Sequence, residues 1–383
     1  MKDSRRPRSG PLRIFLVGYY GAHNTGDEAI RAAIQGAAGS VGATIDRYAT
    51  LDARDEDPRA VPTRGRGILR NLRAVRRADR VVLGGGGILK DEGLRLPLEL
   101  LATALTARIL RKPVALVAVG VGPLYSRPGR RLVMAVARLA SVRTVRDDAS
   151  AVELRALGVR RVVVGADPVF VTEAVPDGRP GANPGRRRIV LSLRPWFLKA
   201  EDRETRQTRL CESVAQGLSR PLADGWDLRL VSLYWPRDDE QSRRFIAAVP
   251  GAAAGQCTAT TQELDWAALQ DEIAAADLVV AMRYHAVAAA AIQGRPVIAL
   301  AYEPKVRSLA AELGIPAIEV DGPDIGDELR AVVDAVLEGR LDALPDPAAV
   351  ASLRVRARLA VRLALTGGPG TPPSGEMDAK RPG

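Results

Sequence analysis

The chain has 383 residues, which is too long for a single hydrophobic core and favours two domains. Its 56 lysines and arginines outnumber its 45 acidic residues, and the net charge of +11 favours anionic partners. Aromatic residues make up only 4%, which argues against base stacking or sugar stacking as the main binding device. The two cysteines, Cys211 and Cys257, lie outside any metal-binding spacing, so neither a zinc site nor a disulfide framework is predicted.

Much of the excess charge is arginine spread along predicted helices, as in residues 64–80. No zinc-finger spacing and no aromatic-rich strand motif accompanies it, so no nucleic-acid partner is predicted. A basic face against anionic lipid or a lipid-linked pyrophosphate fits the charge better. No segment is long enough to span a bilayer, so we expect a cytoplasmic protein, with peripheral contact at the membrane face left open.

Strand and helix patterns alternate along most of the chain. This alternation predicts an α/β fold of two Rossmann-like, doubly wound domains that face each other across a cleft. The predicted segments are a basic flexible N-terminus (1–11), a first domain on the acceptor side (12–175), a Pro- and Gly-rich linker (176–188), a second domain on the donor side (189–345), a C-terminal helix (346–366) and a tail of disordered composition (367–383).

The first strand-to-helix turn, 18-GYYGAHNTGDEAI-30, contains several polar side chains. Thr25 and Glu28 have the spacing of a capping box, so we expect Asn24 and Thr25 to start a helix. Asp27 and Glu28 then lie in its first turn, where acids stabilise the helix dipole. The same acids discourage phosphate binding, so this turn suits the hydroxyl groups of an acceptor better than anions.

Two later turns also carry candidate ligand contacts. A predicted strand ends in four glycines, of which Gly85 and Gly86 can bring bare backbone N–H groups close to a ligand. The run matches neither a dinucleotide fingerprint nor a P-loop, and a tight packing turn explains it equally well. Further on, Arg146 ends a short strand, and Asp147 or Asp148 can cap the following helix.

The stretch from residue 278 to 306 reads as strand, loop, helix, strand and loop. Arg283, His285 and Lys305 follow the two strands, and loops after parallel strands share one edge of a sheet. Arginine, lysine and histidine at one edge indicate an anionic ligand and a proton-transfer group. The chain has only one other histidine, His23; a capping role for His285 remains an equal alternative.

In these stretches the chain resembles the polysaccharide pyruvyltransferase family, in particular the branch that pyruvylates bacterial secondary cell wall polymers. The resemblance covers most of residues 12–320. It is carried by 18-GYYGAHNTGDEAI-30, 84-GGGGILKDEG-93, 146-RDDASAVELRALG-158, 166-ADPVF-170 and 283-RYHAVAAAAIQGRPVIALAYEPKV-306. It implies a GT-B-like glycosyltransferase architecture and transfer of a pyruvyl group from phosphoenolpyruvate to a sugar, forming a cyclic ketal and releasing phosphate.

The resemblance also implies roles for single residues. Arg283 and His285 match the family's Arg-x-His element for the donor, and Arg146 and Lys305 match two further donor-binding positions. Tyr284 stands where the family often has leucine, so nothing is inferred for that position. His285 is expected to act as a general acid.

The remaining candidate roles concern the acceptor. Asp27 and Glu28 are expected to orient or deprotonate its hydroxyls, and Asn24 is expected to contribute to substrate binding. The expected acceptor is a lipid-linked glycan. No cofactor and no metal are predicted.

Two other functions stay open at this stage. A nucleotide-sugar glycosyltransferase has the same fold, but that class usually has a glutamate where His285 opens its helix, and only Glu303 is suitably placed to hold ribose. A non-catalytic module for anionic polymers would bind with a steep salt dependence and would release no phosphate.

Overall fold

The computed structural model describes residues 10–52, 54–63, 67–175, 185–196, 202–322 and 324–368. The predicted flexible N-terminus, the linker and the disordered tail therefore lie mostly outside the described residues.

Two parallel sheets form the framework, and each has the strand order of a doubly wound fold. The first sheet has the order β3-β2-β1-β4-β5-β6-β7, with β1 at Leu12–Val17, β2 at Ala43–Thr50, β3 at Ala60–Pro62, β4 at Arg80–Gly84, β5 at Val114–Val119, β6 at Val142–Val145 and β7 at Val163–Val164. The second has the order β10-β9-β8-β11-β12-β13, with β8 at Arg188–Ser192, β9 at Asp227–Leu230, β10 at Cys257–Ala259, β11 at Leu278–Ala281, β12 at Val297–Ala301 and β13 at Ala317–Glu319. The prediction of two Rossmann-like halves is confirmed.

Helices connect the strands and cover both sheets. In the first half they are α1 (Thr25–Ala38), α2 (Gly67–Arg77), α3 (Arg95–Ile109), α4 (Arg127–Leu139) and α5 (Asp148–Ala156), with 3-10 turns at Gly39–Val41 and Pro168–Val171. The others are α6 (Arg203–Gly217), α7 (Ser219–Ala223), α8 (Arg237–Ala248), α9 (Gly251–Ala254), α10 (Trp266–Ala274), α11 (Tyr284–Ile292), α12 (Pro304–Leu313), α13 (Ile325–Leu337) and α14 (Pro347–Thr366).

The central strands are short apolar runs because helices cover them on both faces. Every residue of β5, with the sequence VALVAV, is buried. The alanine-rich helix α11 is buried from Ala286 to Ile292, as expected for a helix that is apolar on all sides. It lies directly after β11 and carries His285 at its start, so the interior of the protein fixes the position of this imidazole.

The last helix, α14, returns to the first half and packs against β5, β6 and the turn Pro168–Val171. A Cβ on Gly165 would lie 2.6 Å from the Cβ of Ala360, so only glycine permits this close approach. One hydrophobic core consequently runs from the first sheet through α14 into the second. The sequence predicted a helix here, but it contained no sign of where the helix would pack.

The start of α1 is joined to the second half by hydrogen bonds. The Thr25 N–H donates to the carbonyl of Leu233 at 2.8 Å, and its hydroxyl donates to the carbonyl of Leu264 at 2.7 Å. The predicted helix start at Asn24 and Thr25 is confirmed, and the cap is Asn24, which accepts from the Gly26 N–H at 3.1 Å. The hydroxyl of Thr25 is used to hold the two halves together instead.

Candidate active site

The N-termini of α1 and α11 meet where the strand ends of the two halves face each other. The contact is tight, because a Cβ on Gly26 would lie 1.9 Å from Nδ1 of His285. Only glycine at this position lets the imidazole pack directly on the backbone of α1. The side chain of His285 retains 14% exposure.

His285 faces a buried carboxylate on its other side. Its Nε2 lies 3.6 Å from Oδ2 of Asp167, which is fully buried. Burial alone would raise the pKa of Asp167, but His285 and Arg146 hold this pKa below its usual range. Asp167 is thus ionised and placed to orient the imidazole. The sequence analysis gave it no role, although it lies in the motif 166–170, directly after the last strand of the first sheet.

Asp27 has the properties of a proton-transfer group. Burial raises its pKa from the usual 3.8 to about 6; His285 and Lys305 lower it, while Glu28 and Asp167 raise it further. Among the described residues its carboxylate has no hydrogen-bond partner, although it remains partly exposed. A carboxyl group that titrates near neutral pH beside an imidazole is suited to general acid–base catalysis.

Glu28 and Asn24 have structural partners in this turn, and their catalytic and binding roles stay predictions. The carboxylate of Glu28 accepts hydrogen bonds from the Gly21 N–H at 2.6 Å and from Nε of Arg31 at 2.8 Å. These contacts hold the loop before α1 against the helix. The side chain of Asn24 caps the same helix, so the two residues shape the turn that presents Asp27.

The glycine run after β4 packs closely against α1. A Cβ on Gly85 would lie 1.9 Å from Cγ2 of Ile30, and one on Gly86 would lie 2.8 Å from Oδ1 of Asp27. These glycines have φ angles of 78° and 71° and let α1 and Asp27 lie close to the loop. The packing explanation therefore applies to both glycines, and their contact with a ligand stays a prediction; the neighbouring Gly87 lines the cavity.

Arg283 is bound to a buried acid. Its guanidinium pairs through Nε and Nη2 with both carboxylate oxygens of Asp238, which is fully buried. Asp238 also accepts from the N–H groups of Leu233 and Tyr234, in the segment that holds α1. Arg283 thus links the start of α11 to the junction between the halves. Its Nη1 has no hydrogen-bond partner in the part of the chain that the structure describes.

Arg146 reaches the site from the first half of the chain. Its Nε donates to Asp147 at 3.2 Å, its Nη1 lies 3.7 Å from Asp167, and its guanidinium lies 4.6 Å from the centre of the Tyr284 ring. Burial alone would lower the pKa of Arg146, but Tyr284 and the two aspartates raise it. Arg146 therefore remains charged while it is nearly enclosed. As predicted, Asp147 caps α5 by accepting from Ser150 at 2.8 Å.

A cavity of about 1280 Å³ lies beside these groups and is lined by both halves of the chain. Arg146 comes from the first half, and Lys305, at the start of α12, comes from the second. Lys305 pairs with Glu303, which also lies 3.6 Å from Arg194. The cationic lining side chains are Lys90, Arg146, Arg194, Arg206, Arg209 and Lys305, and the acidic ones are Glu92, Asp147, Glu153, Asp202, Glu303 and Asp321.

Arg283, His285 and Lys305, which the sequence predicted to share one site, therefore have different surroundings. Lys305 lines the cavity, and its charge acts on Asp27 together with that of His285. Arg283, His285 and Asp27 do not line the cavity themselves, and Arg283 points its fork at Asp238. The sequence analysis gave Arg194 and Tyr302 no role, although both lie within the cavity wall and are joined by a hydrogen bond of 2.7 Å.

Comparisons with known proteins identify the family and the fold. The family Polysaccharide pyruvyl transferase matches residues 24–304, which include Asp27, Asp167 and His285. A search of curated proteins found none that matches the chain.

The fold is similar to those of several solved structures. The UDP-GlcNAc 2-epimerase from Methanocaldococcus jannaschii has 14% identity and a TM-score of 0.61 over 93% of this chain and 100% of its own. A putative UDP-N-acetylglucosamine 2-epimerase from Listeria monocytogenes has 14% identity and a TM-score of 0.59 over 91% and 94%. A glycosyltransferase from Rickettsia africae has 10% identity and a TM-score of 0.57 over 93% and 94%.

At these identities the similarity to the solved structures establishes only the two-domain GT-B fold. The family match spans most of the chain and includes both sides of the site. The chain belongs to the polysaccharide pyruvyl transferase family and is a transferase.

Proposed function

We propose that the protein transfers the pyruvyl unit of phosphoenolpyruvate to two hydroxyl groups of one sugar in a cell-wall or exopolysaccharide precursor. The product is a cyclic ketal, and phosphate is released. The main support is Asp27, a carboxyl group with a pKa of about 6 that shares the field of His285 and Lys305 beside the cavity. This arrangement supplies proton transfer and cationic binding at one place.

The donor carries a carboxylate and a phosphate on the same carbon, so it needs several cationic groups at once. Arg146 and Lys305 supply charge from opposite halves of the chain, and Arg194 lies next to Lys305 through their shared partner Glu303. An anion that binds here takes the place of Glu303 as the partner of Lys305. Arg283 acts as a positioning residue that fixes the start of α11.

The reaction needs a proton donor and a proton acceptor, and we assign these roles to His285 and Asp27. The methylene carbon of the donor gains one proton, the central carbon accepts the two sugar oxygens in turn, and the bond to phosphate breaks. Of the two hydroxyl protons, one replaces the proton given to the methylene carbon and the other leaves with phosphate. His285 donates to the methylene carbon, Asp27 accepts from the attacking hydroxyl, and Asp167 orients His285.

The acceptor is proposed to be a lipid-linked glycan, and the reaction is proposed to need no cofactor and no metal. The purified chain, mixed with phosphoenolpyruvate and a synthetic amino-sugar glycan, should release phosphate and add one pyruvyl mass to the glycan. Phosphate release without any mass gain would reduce the activity to hydrolysis and contradict the proposal.

A nucleotide-sugar glycosyltransferase is the second candidate, because Glu303 begins α12 beside the cavity. The carboxylate of Glu303 pairs with Lys305 and lies near Arg194. Thermal shift with phosphoenolpyruvate and with a panel of nucleotide sugars separates the two functions. Stabilisation by a nucleotide sugar alone would favour the second candidate.

A further inference from the structure

The outer face of the first half presents a stripe of exposed apolar side chains along α3. Leu94, Leu98, Leu105 and Ile109 are exposed by 39%, 51%, 44% and 80%. At about 100° per residue, these four positions fall within roughly 60° of arc. They therefore form one continuous stripe on a helix whose opposite side packs into the core through Leu100, Ala104 and Ala107.

Arginines border this stripe on both sides. Helix α3 contacts α2 on one side and α4 on the other. Helices α2 and α4 each carry four arginines and no acidic residue. These arginines are exposed, and none has an ion-pair partner in the described part of the chain. They are Arg70, Arg73, Arg76 and Arg77 on α2 and Arg127, Arg130, Arg131 and Arg138 on α4.

Other exposed apolar residues have different surroundings. On α14, Val355 and Leu359 are exposed by 65% and 42%. The arginines beside them, Arg356 and Arg358, pair with Glu312 and Glu173. The α2–α3–α4 face therefore differs from the exposed apolar pair on α14, whose arginines have acidic partners.

We infer that the α2–α3–α4 face binds the surface of an anionic lipid bilayer, with the leucines of α3 entering the headgroup region and the flanking arginines contacting lipid phosphates. Charge favours this occupant over a second copy of the chain, since two copies would bring sixteen arginines of like charge together. Apolar leucines in the centre of the face do not suit a nucleic acid, which needs stacking or hydrogen-bonding groups. Among the described residues no helix could itself span a bilayer, so this contact is peripheral.

The position of the face relative to the cavity has a consequence for substrate access. Glu92 lines the cavity two residues before Leu94 begins the stripe, and Tyr125 lines it just before α4. A bilayer against α3 therefore lies next to the rim of the cavity. If the proposed function holds, this placement lets a lipid-linked sugar enter the cavity while its lipid stays in the membrane.

The test is sedimentation of the full chain with vesicles of equal parts phosphatidylglycerol and phosphatidylcholine, and with vesicles of phosphatidylcholine alone. The wild type should bind the anionic vesicles at least about tenfold better, and high salt should weaken this binding. The combined variant Leu98→Ser, Leu105→Ser and Ile109→Ser, and separately Arg73→Gln, Arg76→Gln and Arg131→Gln, should each reduce binding about tenfold or more. The control Val355→Ser with Leu359→Ser should bind as the wild type does.

Three outcomes would overturn the inference: no binding to anionic vesicles, equal binding to both kinds of vesicle, or equal loss in the α14 control. A dimer that the α3 variant converts to a monomer would also overturn it, by making the face a subunit interface. Thermal unfolding confirms that each variant is folded. Vesicle binding is measured without substrate, so a negative result would not contradict the proposed transfer reaction. A failure to detect transfer would likewise not contradict the membrane contact.

Discussion

The first half of the chain brings Asp27 and Asp167 to the edge where the two sheets meet, whereas the second half brings Arg283, His285 and Lys305. Both halves have the same strand order, and in both the site groups follow strand ends. Hydrogen bonds between the start of α1 and the segment around Leu233, together with the shared hydrophobic core, hold the acids and the imidazole near one another. The two halves thus repeat one fold but carry different site residues at their strand ends, so neither half alone forms the site.

The largest effect is expected at His285. His285→Ala should lower the rate of phosphate release by about 10²–10⁴-fold, because it removes the proposed proton donor. His23→Ala is the matched control, since the Nδ1 of this other, exposed histidine lies 2.8 Å from a carboxylate oxygen of Glu263. Comparable losses in His285→Ala and His23→Ala would contradict a specific role of His285 as the proton donor.

Gly26 tests the contact between the two halves directly. Gly26→Ala places a methyl group 1.9 Å from the former position of Nδ1, so His285 must move. A shift of about 1 Å can reduce turnover roughly 100-fold. Gly36→Ala in the same helix meets no atom within 4 Å and should keep full activity. Full activity of Gly26→Ala, measured as kcat for phosphate release, would show that the position of His285 is unimportant.

Asp27→Asn should change both the pH profile and the stability. The folded state holds the proton of Asp27 up to about pH 6, whereas the unfolded chain loses it near 3.8. Stability contributed by this group therefore falls as pH rises between these values, and above pH 6 the charged carboxylate destabilises the fold. The asparagine variant should be about 1–3 kcal/mol more stable at pH 7.5 and no more stable near pH 3.

The kinetic consequence of the same variant follows from the proposed role of Asp27 as a base. Wild-type kcat/KM should fall as pH decreases through about 6, and the Asp27→Asn variant should be slow and lack this limb. Thermal unfolding and initial rates across pH measure the two effects. If Asp27→Asn still shows the fall in kcat/KM at low pH, a group other than Asp27 causes it.

The smallest effect is expected for Arg283→Lys. Lysine keeps the charge opposite Asp238 but cannot reproduce the two-point contact, so the start of α11 should loosen. We expect apparent affinity for phosphoenolpyruvate to fall about threefold to tenfold. Unchanged affinity in initial-rate measurements would separate this residue from donor binding.

The sequence was informative where pattern and local chemistry decide the structure. Alternating apolar runs and helical stretches were enough to predict the central strands of both sheets, because buried parallel strands leave a clear signal. The short edge strands β3, β10 and β13 were not predicted. The strand-end positions of Arg146, His285 and Lys305 also followed from this pattern. The family match supports the resemblance that linked these positions to pyruvyl transfer.

The sequence could not predict which residues far apart in the chain become partners in the folded structure. Asp238 lies 45 positions before Arg283, and Asp167 lies 118 positions before His285, so neither pairing leaves a local trace. Glu28 has the spacing of a capping residue and yet bonds to Gly21 and Arg31. The raised pKa of Asp27 likewise depends on burial by groups from both halves.

The central claim is that Asp27 of the first half and His285 of the second act on one substrate in one reaction. The most direct test is the rate of phosphate release from phosphoenolpyruvate for Asp27→Asn, His285→Ala and the double variant, with the same amino-sugar glycan. The account predicts that the double variant is about as slow as the slower single variant, because groups acting as a unit are not additive. Losses that multiply would show that the two residues act independently and would contradict it.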